Sequence, residues 1–550
     1  MSERIEKLIL RWRKLQGEKS QWHAHWDDLA RVMLPRRLGF ATTTVDGERR
    51  DSDIFDGTPM QAARSLANAI GGIVRPEGLP KIEMKAEDEN LNDIDENKDW
   101  LEDAGEKLKN GFNNPHARFR QASGEVDQDL VVFGTAVMFV SEAPKNNRLL
   151  FQSMHLKDAT PFFGEAGAPE GMFLKRRLTA RQMESRFGRD KLSERTRDRA
   201  EKSPDDKIDV LHAVIPRNES KPKALLARNL PIADLWIEIE AQHELSVGGF
   251  HEFPFVVPRW DTSSGEDYGR SPGMIALPDA DTLQAMGETI LIAGQRAADP
   301  PLFAPNDGSF DAVNSFPGGL SYYDVETAVA VRGNPFFPLE TGTNLPVSRD
   351  MQQDTRLQIM AAFFKNVLNL PVEGPQMTAT EVNQRKEEFI RELGPIFGRL
   401  ETDYTAPMVE RAFMIMLRAG AFKPIPEGLQ GQNIRFEYDS PVKKIRQQIE
   451  AASTRLWVQE MLTIGQVRQE TVDLVNFDEY GRFTAEAVGV PRKIVNGKDQ
   501  VQQIREIRQQ AMQEQQQAMA LREGLDIAKM GVETADKAGL IQRPEGAKAA

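Results

Sequence analysis

The sequence has 550 residues, with 70 Lys and Arg against 83 Asp and Glu, so its formal net charge is −13 at pH 7. This length predicts two to four domains, and the acidic balance disfavours a protein that grips nucleic acid through a broad basic face. A channel for nucleic acid is still compatible with this charge, because an acidic lining would repel a duplex and let it slide. The absence of Cys excludes disulfides, thiolate metal sites and a Cys nucleophile, and it fits assembly in a reducing cytoplasm.

No stretch of the sequence predicts a membrane span or a secretion signal. Apolar windows such as residues 360–370 are far shorter than the roughly 20 residues that cross a bilayer. Residues 1–15 are charged throughout and lack the apolar centre of a signal peptide. We therefore expect a soluble protein that is not processed at its N-terminus.

The first half of the chain alternates between helical and strand patterns. Apolar spacing predicts one amphipathic helix over residues 3–34, whose stripe is broken only by Lys19. Asp56–Thr58 can cap an Ala-rich helix. The highly charged residues 87–128 are predicted to be helical, and the pattern of residues 129–140 indicates a helix that passes into a strand. β-Branched and aromatic runs predict strands at 149–152, 171–177, 210–215 and 235–239, with a helix over 179–202 capped by Thr179.

The stretch Phe250–Leu283 marks a change of architecture. The apolar run Phe253–Val257 predicts a buried strand, and a polar, Gly-bearing loop follows it. Pro278-Asp279 offers an N-cap for a helix that runs to about Ala298, where a Pro-Pro pair ends it. A globular region therefore ends here, and a long helix leaves it.

A Pro- and Gly-rich segment separates this helix from a second one. It contains strand candidates at Leu320–Tyr323 and Thr327–Val331. The second helix is predicted to start after Pro346, with Ser348 as its cap, and to reach about Leu370. The order predicts an antiparallel helix pair with a small β insertion between its ends. An ordinary helical hairpin with a long insertion fits the same periodicity.

The remaining chain returns mainly to helix after a proline-stiffened loop at residues 370–376. Thr378 to Glu381 form a capping box that opens a long helix, which Gly394-Pro395 and Pro407 should bend. Further patterns predict a strand at Ile434–Tyr438, a helix over 441–464, a Gln-rich helix over 498–523 and disorder at the C-terminal end.

Motifs for catalysis or cofactor binding do not stand out. Walker, HExxH and GxSxG motifs are missing, and Gly71-Gly72 lacks the preceding strand and the Gly-Lys-Ser/Thr ending of a phosphate loop. The acidic loop 261–272 has Glu266 and Pro272 where a calcium loop needs Gly and Glu. Single histidines such as His212 are more often packed residues than metal ligands. We expect no enzyme activity, no cofactor and no metal.

Three motifs carry a family resemblance. The run PRWDTSSGEDYGRSPGMIALPDADTLQ, Asp56-Gly57-Thr58 before the Ala-rich helix, and Met377-Thr378-Ala379-Thr380-Glu381 occur in that family's order and spacing. The chain thereby resembles the podophage head-to-tail connector, or portal, family over nearly its whole length. The resemblance implies a ring of identical subunits, typically twelve, at one vertex of a viral shell, with double-stranded DNA passing through its centre.

The resemblance also implies an architecture. It predicts an α+β, mostly helical portal fold with a wing, a two-helix stem, a small β-containing clip, a long kinked helix and a C-terminal helical crown. The corresponding segments are 1–270 for the wing, 271–299 and 347–369 for the stem helices, 300–346 for the clip, 370–378 for the tunnel loop, 379–420 for the long kinked wing helix, 421–490 for the wing and crown, and 491–550 for the crown helix and a flexible tail.

The same resemblance suggests candidate site residues. The loop projecting into the DNA tunnel would comprise Leu370, Pro371, Val372, Glu373, Gly374, Pro375 and Gln376. Because Glu373 is its only charged residue, this loop would touch DNA sterically without clamping phosphates. Candidate channel or intersubunit contacts on the stem are Arg296, Arg349, Arg356 and Lys365. Alternatively, these side chains are simply solvated at the surface.

The implied partners are tail adaptor proteins at the clip, and major capsid, scaffold and terminase proteins at the wing. The implied location is the capsid vertex of the virion, after assembly in the host cytoplasm. An alternative is another structural virion protein or scaffold-type oligomer that has no DNA channel. The order of stem, clip, loop and long helix favours the portal interpretation.

Overall fold

The computed structural model describes most of the chain. The described residues are 2–41, 45, 47–75, 82–88, 91–92, 94–143, 149–217, 227–306, 316–317, 319–324, 337–338, 345–365, 391–438, 441–488, 490 and 494–537. The chain divides into two compact units, Met1–Lys443 and Lys444–Ala550. Each unit is described by itself below.

Helices dominate the N-terminal part of the first unit. The elements in order are α1 (Ser2–Glu18), α2 (Ser20–Met33), α3 (Thr58–Val74), β1 (Ile82–Ala86), α4 (Asp95–Asn113) and α5 (Phe119–Phe133). The apolar faces of α2 to α5 meet in one large core, in which Trp26, Leu29, Leu108 and Leu130 are fully buried. The indole N–H of Trp26 donates to the carbonyl of Phe133 at 3.2 Å, so even the polar atom of that core side chain is satisfied.

Antiparallel sheets follow. Their elements are β2 (Val137–Glu142), β3 (Leu149–Met154), β4 (Ala159–Phe163), β5 (Pro169–Thr179), α6 (Ala180–Phe187), α7 (Glu194–Lys202), β6 (Lys207–Pro216), β7 (Ile232–Glu238), β8 (His243–Phe250) and β9 (Phe255–Val256). Strands β3, β2 and β9 form a three-stranded sheet, and β4 to β8 form a five-stranded sheet in sequence order. The three-stranded sheet contributes Val137 and Phe151 to the main core.

The five-stranded sheet is covered on both faces, because its side chains alternate in direction along each strand. On one face Phe173, Leu211 and Leu235 pack with residues of α1 such as Ile9 and Trp12. Trp236, Ile208 and Val210 lie on the opposite face and pack with Met183 and Phe187 of α6. These two smaller cores fix α1 and α6 to the sheet.

The pair of helices predicted in the middle of the chain is present. Its elements are α8 (Pro272–Ala298), β10 (Leu302–Asn306), β11 (Leu320–Asp324), β12 (Phe337–Pro338) and α9 (Leu345–Ala362). Helices α8 and α9 pack against each other. Between them, β10 pairs in parallel with β11 and antiparallel with β12, so a small sheet does lie within the insertion.

An interrupted helix lies near the C-terminal end of the first unit. Residues 391–400 form α10, Glu401–Thr405 form a π-turn, and Ala406–Arg418 form α11. Pro407 lies in the first turn of α11 and has no N–H to donate, which favours the wider π register before it. The helix is thus interrupted by a π-turn just before Pro407, and the bend predicted there stays a prediction. Strand β13 (Ile434–Tyr438) then pairs antiparallel with β1.

The second unit is helical in its described part. It contains most of α12 (Pro441–Gly465), together with α13 (Phe477–Val488) and α14 (Lys498–Lys537). Arg505 on α14 forms a double hydrogen bond with Asp478 on α13, at 2.7 and 2.6 Å. Large apolar side chains are exposed on this unit, among them Leu456, Val467, Ile507 and Met519.

Most predicted elements are confirmed. The chain is a mixed and mostly helical protein, and the strands predicted around residues 150, 174, 212, 237 and 436 correspond to β3, β5, β6, β7 and β13. Strands β1, β4, β8, β10 and β12 are not predicted from the sequence. The strand candidate Thr327–Val331 and the capping box Thr378–Glu381 lie outside the described residues. The assignments to wing, stem, clip and crown stay predictions.

The helix predicted for residues 3–34 is interrupted at one residue, Lys19, which separates α1 from α2, although its N–H and carbonyl keep helical hydrogen bonds to Leu15 and His23. The Lys19 side chain turns inward and donates from Nζ to the carbonyl oxygens of Leu156 and, at 2.6 Å, Ala159. Trp26 and Tyr268 also face the ammonium, with ring centroids 5.5 and 5.9 Å away. The polar interruption of the apolar stripe is thus a buried cation site between the two helices.

Three predicted helix boundaries are wrong. Helix α8 begins at Pro272 after its cap Ser271, so Pro278 lies inside the helix. Helix α9 begins at Leu345, which places the predicted cap Ser348 inside it. Residues 179–202 form two helices, because Gly188 has a φ of 85° and ends α6. The Thr179 cap itself is confirmed, and Gln182 completes a capping box.

Candidate functional site

The base of α8 is fixed to the main core by a serine. The Ser271 hydroxyl accepts a hydrogen bond from the Met274 N–H at 3.0 Å, which caps the helix. The same hydroxyl donates to the carbonyl of Val132 at 2.7 Å. A Cβ on Gly273 would lie 2.9 Å from that carbonyl, so only glycine fits this contact without movement. The first turn of α8 is therefore fastened to the end of α5.

The signature stretch before α8 wraps around the turn between α5 and β2. Gly134 and Gly269 meet backbone to backbone, and a Cβ on either would lie 2.3 Å from the carbonyl oxygen of the other. The Trp260 N–H donates to the Gly134 carbonyl at 2.8 Å, and the Gly269 N–H donates to Oγ1 of Thr135 at 2.7 Å. Tyr268 is buried against Trp22 and Trp26. The Trp, Tyr and Gly of this signature thus hold the loop that presents α8.

A polar cluster around Asp56 joins both helices of the pair to α3. The Gln284 side-chain oxygen accepts from the N–H groups of Phe55 and Asp56 at 2.7 and 2.9 Å, and its amide donates to the Asp56 carbonyl at 2.8 Å. Oδ1 of Asp56 accepts from the Thr58 N–H at 2.8 Å. Oδ2 accepts from Nε of Arg356 on α9 at 2.8 Å. We call Asp56, Gln284 and Arg356 the helix-pair anchor.

The charges of the anchor follow from these contacts. Asp56 is buried, with 7% of its surface exposed. Burial by itself raises the pKa of Asp56, but hydrogen bonds from Thr58 and Arg356 outweigh it and hold the pKa below its ordinary value. The carboxylate is therefore charged at neutral pH and pairs with the guanidinium. We interpret the anchor as structural, since both carboxylate oxygens of Asp56 already accept hydrogen bonds from within the chain.

Two further contacts fix the position of α8. Arg31 on α2 forms an ion pair with Asp281 at 2.9 Å. Gly287 passes so close to Phe55 that an added Cβ would lie 2.9 Å from the Phe55 Cβ, and it would also lie 3.8 Å from Nε2 of Gln352 on α9. The segment before α3 therefore sits directly against the helix pair.

The four predicted basic residues occupy different environments. Arg349 is exposed, and Lys365 is half-buried. Nε of Arg296 is buried and has no hydrogen-bond partner among the described residues. Arg356 is engaged with Asp56. The structure does not bring the four together, and their predicted role in channel or intersubunit contacts stays a prediction.

The predicted tunnel loop lies outside the described residues, as does the chain from 366 to 390. Sequence reasoning noticed Asp56 as a helix cap but missed Gln284 and the pairing with Arg356. A Gln in the middle of an apolar helix was the available signal for Gln284. No local signal marks a pair that is 300 residues apart.

Large apolar side chains are exposed on the helix pair. On α8, Ile275 is 73% exposed and Leu291 is 53% exposed. On α9, Met351 and Leu357 are 54% and 57% exposed. Scattered apolar residues are normal on a surface, but these recur along both helices of one pair. The pair therefore offers apolar contact area on its outer surface.

The described residues contain no grouping of three or more His, Asp or Glu that could hold a metal ion. The histidines at 155 and 212 are instead packed against aromatic rings of Phe40 and Trp236. Within the described part of the chain, no helix is long and apolar enough to cross a membrane. The most developed polar feature of this region is thus the anchor, which joins chain segments to one another.

Comparison with known proteins gives a consistent family. The family model described as bacteriophage head to tail connecting protein matches residues 6–495. A probable portal protein of Bordetella phage BPP-1 is 27% identical over 537 residues, which are 96% of each chain. The portal protein of Salmonella phage epsilon15 is 27% identical over 528 residues, covering 94% of this chain and 93% of that protein.

One solved structure, a chain from the virion of a native gene transfer agent particle, aligns with 76% of this chain and 90% of its own at 10% identity, with a TM-score of 0.33. Because this structural similarity is too low to carry an argument, the family assignment rests on the sequence matches. The family model spans nearly the whole chain, and both phage relatives are matched from end to end. The chain therefore belongs to the family of bacteriophage head-to-tail connecting, or portal, proteins.

Proposed function

We propose that this chain is the subunit of a portal ring in a short-tailed phage. Copies associate side by side through heterologous contacts that close into a ring, with twelve as the expected number. The ring occupies one vertex of the capsid, and double-stranded DNA passes through it during packaging and ejection. The ring itself acts mechanically, and a separate terminase supplies the energy for packaging.

The observation that carries this proposal is the exposed apolar surface of the anchored helix pair. Ile275, Leu291, Met351 and Leu357 are all more than half exposed in the single chain. A ring of copies would cover such a surface, because each pair would lie between two neighbours.

The proposal assigns a task to each segment. The helix pair, residues 271–299 and 347–369, is the stem and lines the channel. The insertion 300–346 is the clip, which binds tail adaptor proteins, and residues 370–378 form the tunnel loop. The wing contacts capsid, scaffold and terminase proteins, and the C-terminal region forms the crown. The small sheet of β10, β11 and β12 supports a compact clip.

The first experiment is native mass spectrometry of the purified full-length chain together with negative-stain images. We expect a closed ring near twelve subunits with a central hole. If only a monomer appears, the measurement is repeated with the capsid and scaffold proteins present, where the ring should then form. A compact dimer or tetramer without a hole would contradict the proposal.

A single charge placed on the exposed surface of the helix pair separates the effect on assembly from any effect on the fold. Leu357→Glu places a charge on the exposed face of α9, where it should prevent ring closure while leaving the unfolding temperature of the monomer nearly unchanged. Leu10→Glu makes the same change at a leucine of α1 that is 56% exposed and lies outside the helix pair, so it is the matched control and should assemble normally. Rings of normal size from Leu357→Glu would argue against a stem contact at this face.

A further inference from the structure

Two arginines converge on one tryptophan at the five-stranded sheet. The guanidinium carbon of Arg186 lies 4.0 Å from the centroid of the Trp236 ring, and that of Arg176 lies 5.7 Å from it. The His212 imidazole is stacked on the same indole at 4.1 Å, with only 11° between the planes. Because a stacked His212 fills one face of the ring at that distance, Arg186 occupies the other face. Trp236 therefore serves as a rigid spacer that positions the cations.

The neighbouring basic residues are neutralised, whereas this pair is not. Lys175 and Arg177 both pair with Asp209, and Arg181 pairs with Asp205. Among the described residues, no carboxylate lies within ion-pair distance of Arg176 or Arg186. The nearby Asp234 is already engaged, since its Oδ1 lies 2.7 Å from Nε2 of His212. Asp158 and Asp234 thus act on the two guanidiniums through space, but neither carboxylate forms an ion pair with Arg176 or Arg186.

The electrostatics of the pair agree with the geometry. Burial and then the charge of Arg186 lower the pKa of Arg176 to about 10, while the charge of Asp158 opposes them. Burial also lowers the pKa of Arg186, while the charge of Asp234 opposes it. Both side chains remain charged at neutral pH, so each bears a desolvation cost that a bound anion would relieve. Arg186 is exposed, and Arg176 is half-buried, so an anion can reach them from solvent.

We propose that Arg176 and Arg186, positioned by Trp236, form a docking site for an acidic segment of a protein partner. Guanidinium groups bind carboxylates through paired N–H donors, and two of them can hold two successive acidic side chains. DNA is the less suitable anion, because its charges continue along the whole duplex and would meet a chain of net charge −13. The indole is 4% exposed, which leaves no free ring face for a base to stack on.

This inference is independent of the ring and of the channel. It concerns the sheet of residues 159–250 and requires only the folded chain. The probe is a fluorescein-labelled peptide of alternating Glu and Gly, and binding to the full-length protein is followed by fluorescence anisotropy at low salt. A Gln and Gly peptide of the same length is the uncharged control. A duplex oligonucleotide serves as a competitor.

We expect Arg186→Gln to weaken binding of the Glu peptide by about tenfold or more. Arg186→Lys keeps the charge but loses the planar donor pair and should fall between wild type and Arg186→Gln. Arg181→Gln removes one positive charge from the same helix and should bind as wild type does, since Arg181 is exposed and paired with Asp205. Arg176→Gln is the second site variant and should match Arg186→Gln.

Circular dichroism and the unfolding temperature verify that each variant is folded. Because Arg186 is exposed, its Gln variant keeps the test decisive even if Arg176→Gln unfolds. Equal weakening by Arg181→Gln and Arg186→Gln would reduce the site to general charge attraction and overturn the proposal. Displacement of the peptide by the oligonucleotide, with the oligonucleotide itself dependent on Arg186, would assign the site to nucleic acid and also overturn it.

Discussion

Arg356 donates from Nε to Oδ2 of Asp56 across 2.8 Å, although 300 residues separate them in the sequence. Asp56 precedes α3, and Arg356 lies on the second helix of the pair. Gln284 of the first helix holds the backbone of the same aspartate. A single buried carboxylate thereby connects both helices of the proposed stem to the body of the chain.

The anchor predicts a measurable loss of stability. Asp56→Ala removes the hydrogen bond to the Thr58 N–H and the pairing with Arg356, so we expect the free energy of unfolding to fall by about 2 kcal/mol. Asp281→Ala removes an ion pair whose side chains are both more than 40% exposed and should cost less than about 1 kcal/mol. Urea unfolding compares the two. Equal losses would contradict the special role of Asp56.

The anchor also predicts a dependence on pH. Because the folded-state pKa of Asp56 is lowered, its contribution to stability is complete above the ordinary carboxyl pKa and is lost as pH falls through the folded pKa. Asp56→Asn should therefore differ from wild type in unfolding free energy at pH 7, and the difference should shrink progressively as pH falls below the ordinary carboxyl pKa of about 4. The difference between the two proteins is the quantity to measure. A constant difference over that range would exclude this linkage.

The contact of Gly134 with Gly269 predicts a severe effect of one methyl group. Gly134→Ala places a Cβ 2.3 Å from a carbonyl oxygen in a backbone with φ of 76°, so we expect a loss of more than about 3 kcal/mol. Gly124→Ala, within α5 and with no atom within 4 Å of the added Cβ, should instead stabilise by about 0.5–1 kcal/mol. Thermal unfolding of the two variants measures both effects. A small loss of stability in Gly134→Ala would contradict the close approach of Gly134 to Gly269.

The burial of Lys19 leads us to expect that the free energy of unfolding rises with pH above neutrality. Burial lowers the pKa of Lys19 to about 7, from an ordinary value of 10.5, against the charge of Asp158. Between these values the unfolded chain binds more protons, so the free energy of unfolding rises with pH, by at most about 1.4 kcal/mol per unit. Lys19→Met should remove this slope. Parallel pH profiles for wild type and Lys19→Met would show that the ammonium stays charged in the fold.

The proposed tunnel loop predicts a defect in DNA handling. Replacing Val372-Glu373-Gly374 by a shorter linker should leave rings of normal mass, because the stem contacts remain. Packaging or retention of DNA should fall if this loop contacts the duplex as proposed. Phage titre and DNA content per particle measure the effect. Normal values for both would remove the tunnel role.

Some features could be predicted because they are encoded locally. Thr179 caps a helix through Gln182, which lies three residues away, and strands such as β6 carry their period in consecutive residues. The family resemblance was also available, because the signature around Trp260 and Tyr268 is contiguous. These features need no knowledge of distant contacts.

Other features were decided by the tertiary structure. Pro278 looked like a helix boundary, but Ser271 caps α8 earlier because its hydroxyl also reaches the carbonyl of Val132. Lys19 breaks the apolar stripe of the sequence, but the carbonyls of residues 156 and 159 hold its side-chain amine inside the fold.

The sequence by itself determined the family, the mixed helical and strand character and the order of the elements, since each depends on residues close together in the chain. Only the tertiary structure decided two features. One is the anchor of Asp56, Gln284 and Arg356, and the other is the convergence of Arg176 and Arg186 on the Trp236 ring. The physical reason is that hydrogen bonds and cation–π contacts act over a few ångströms. Folding alone brings residues from distant parts of the chain within that range.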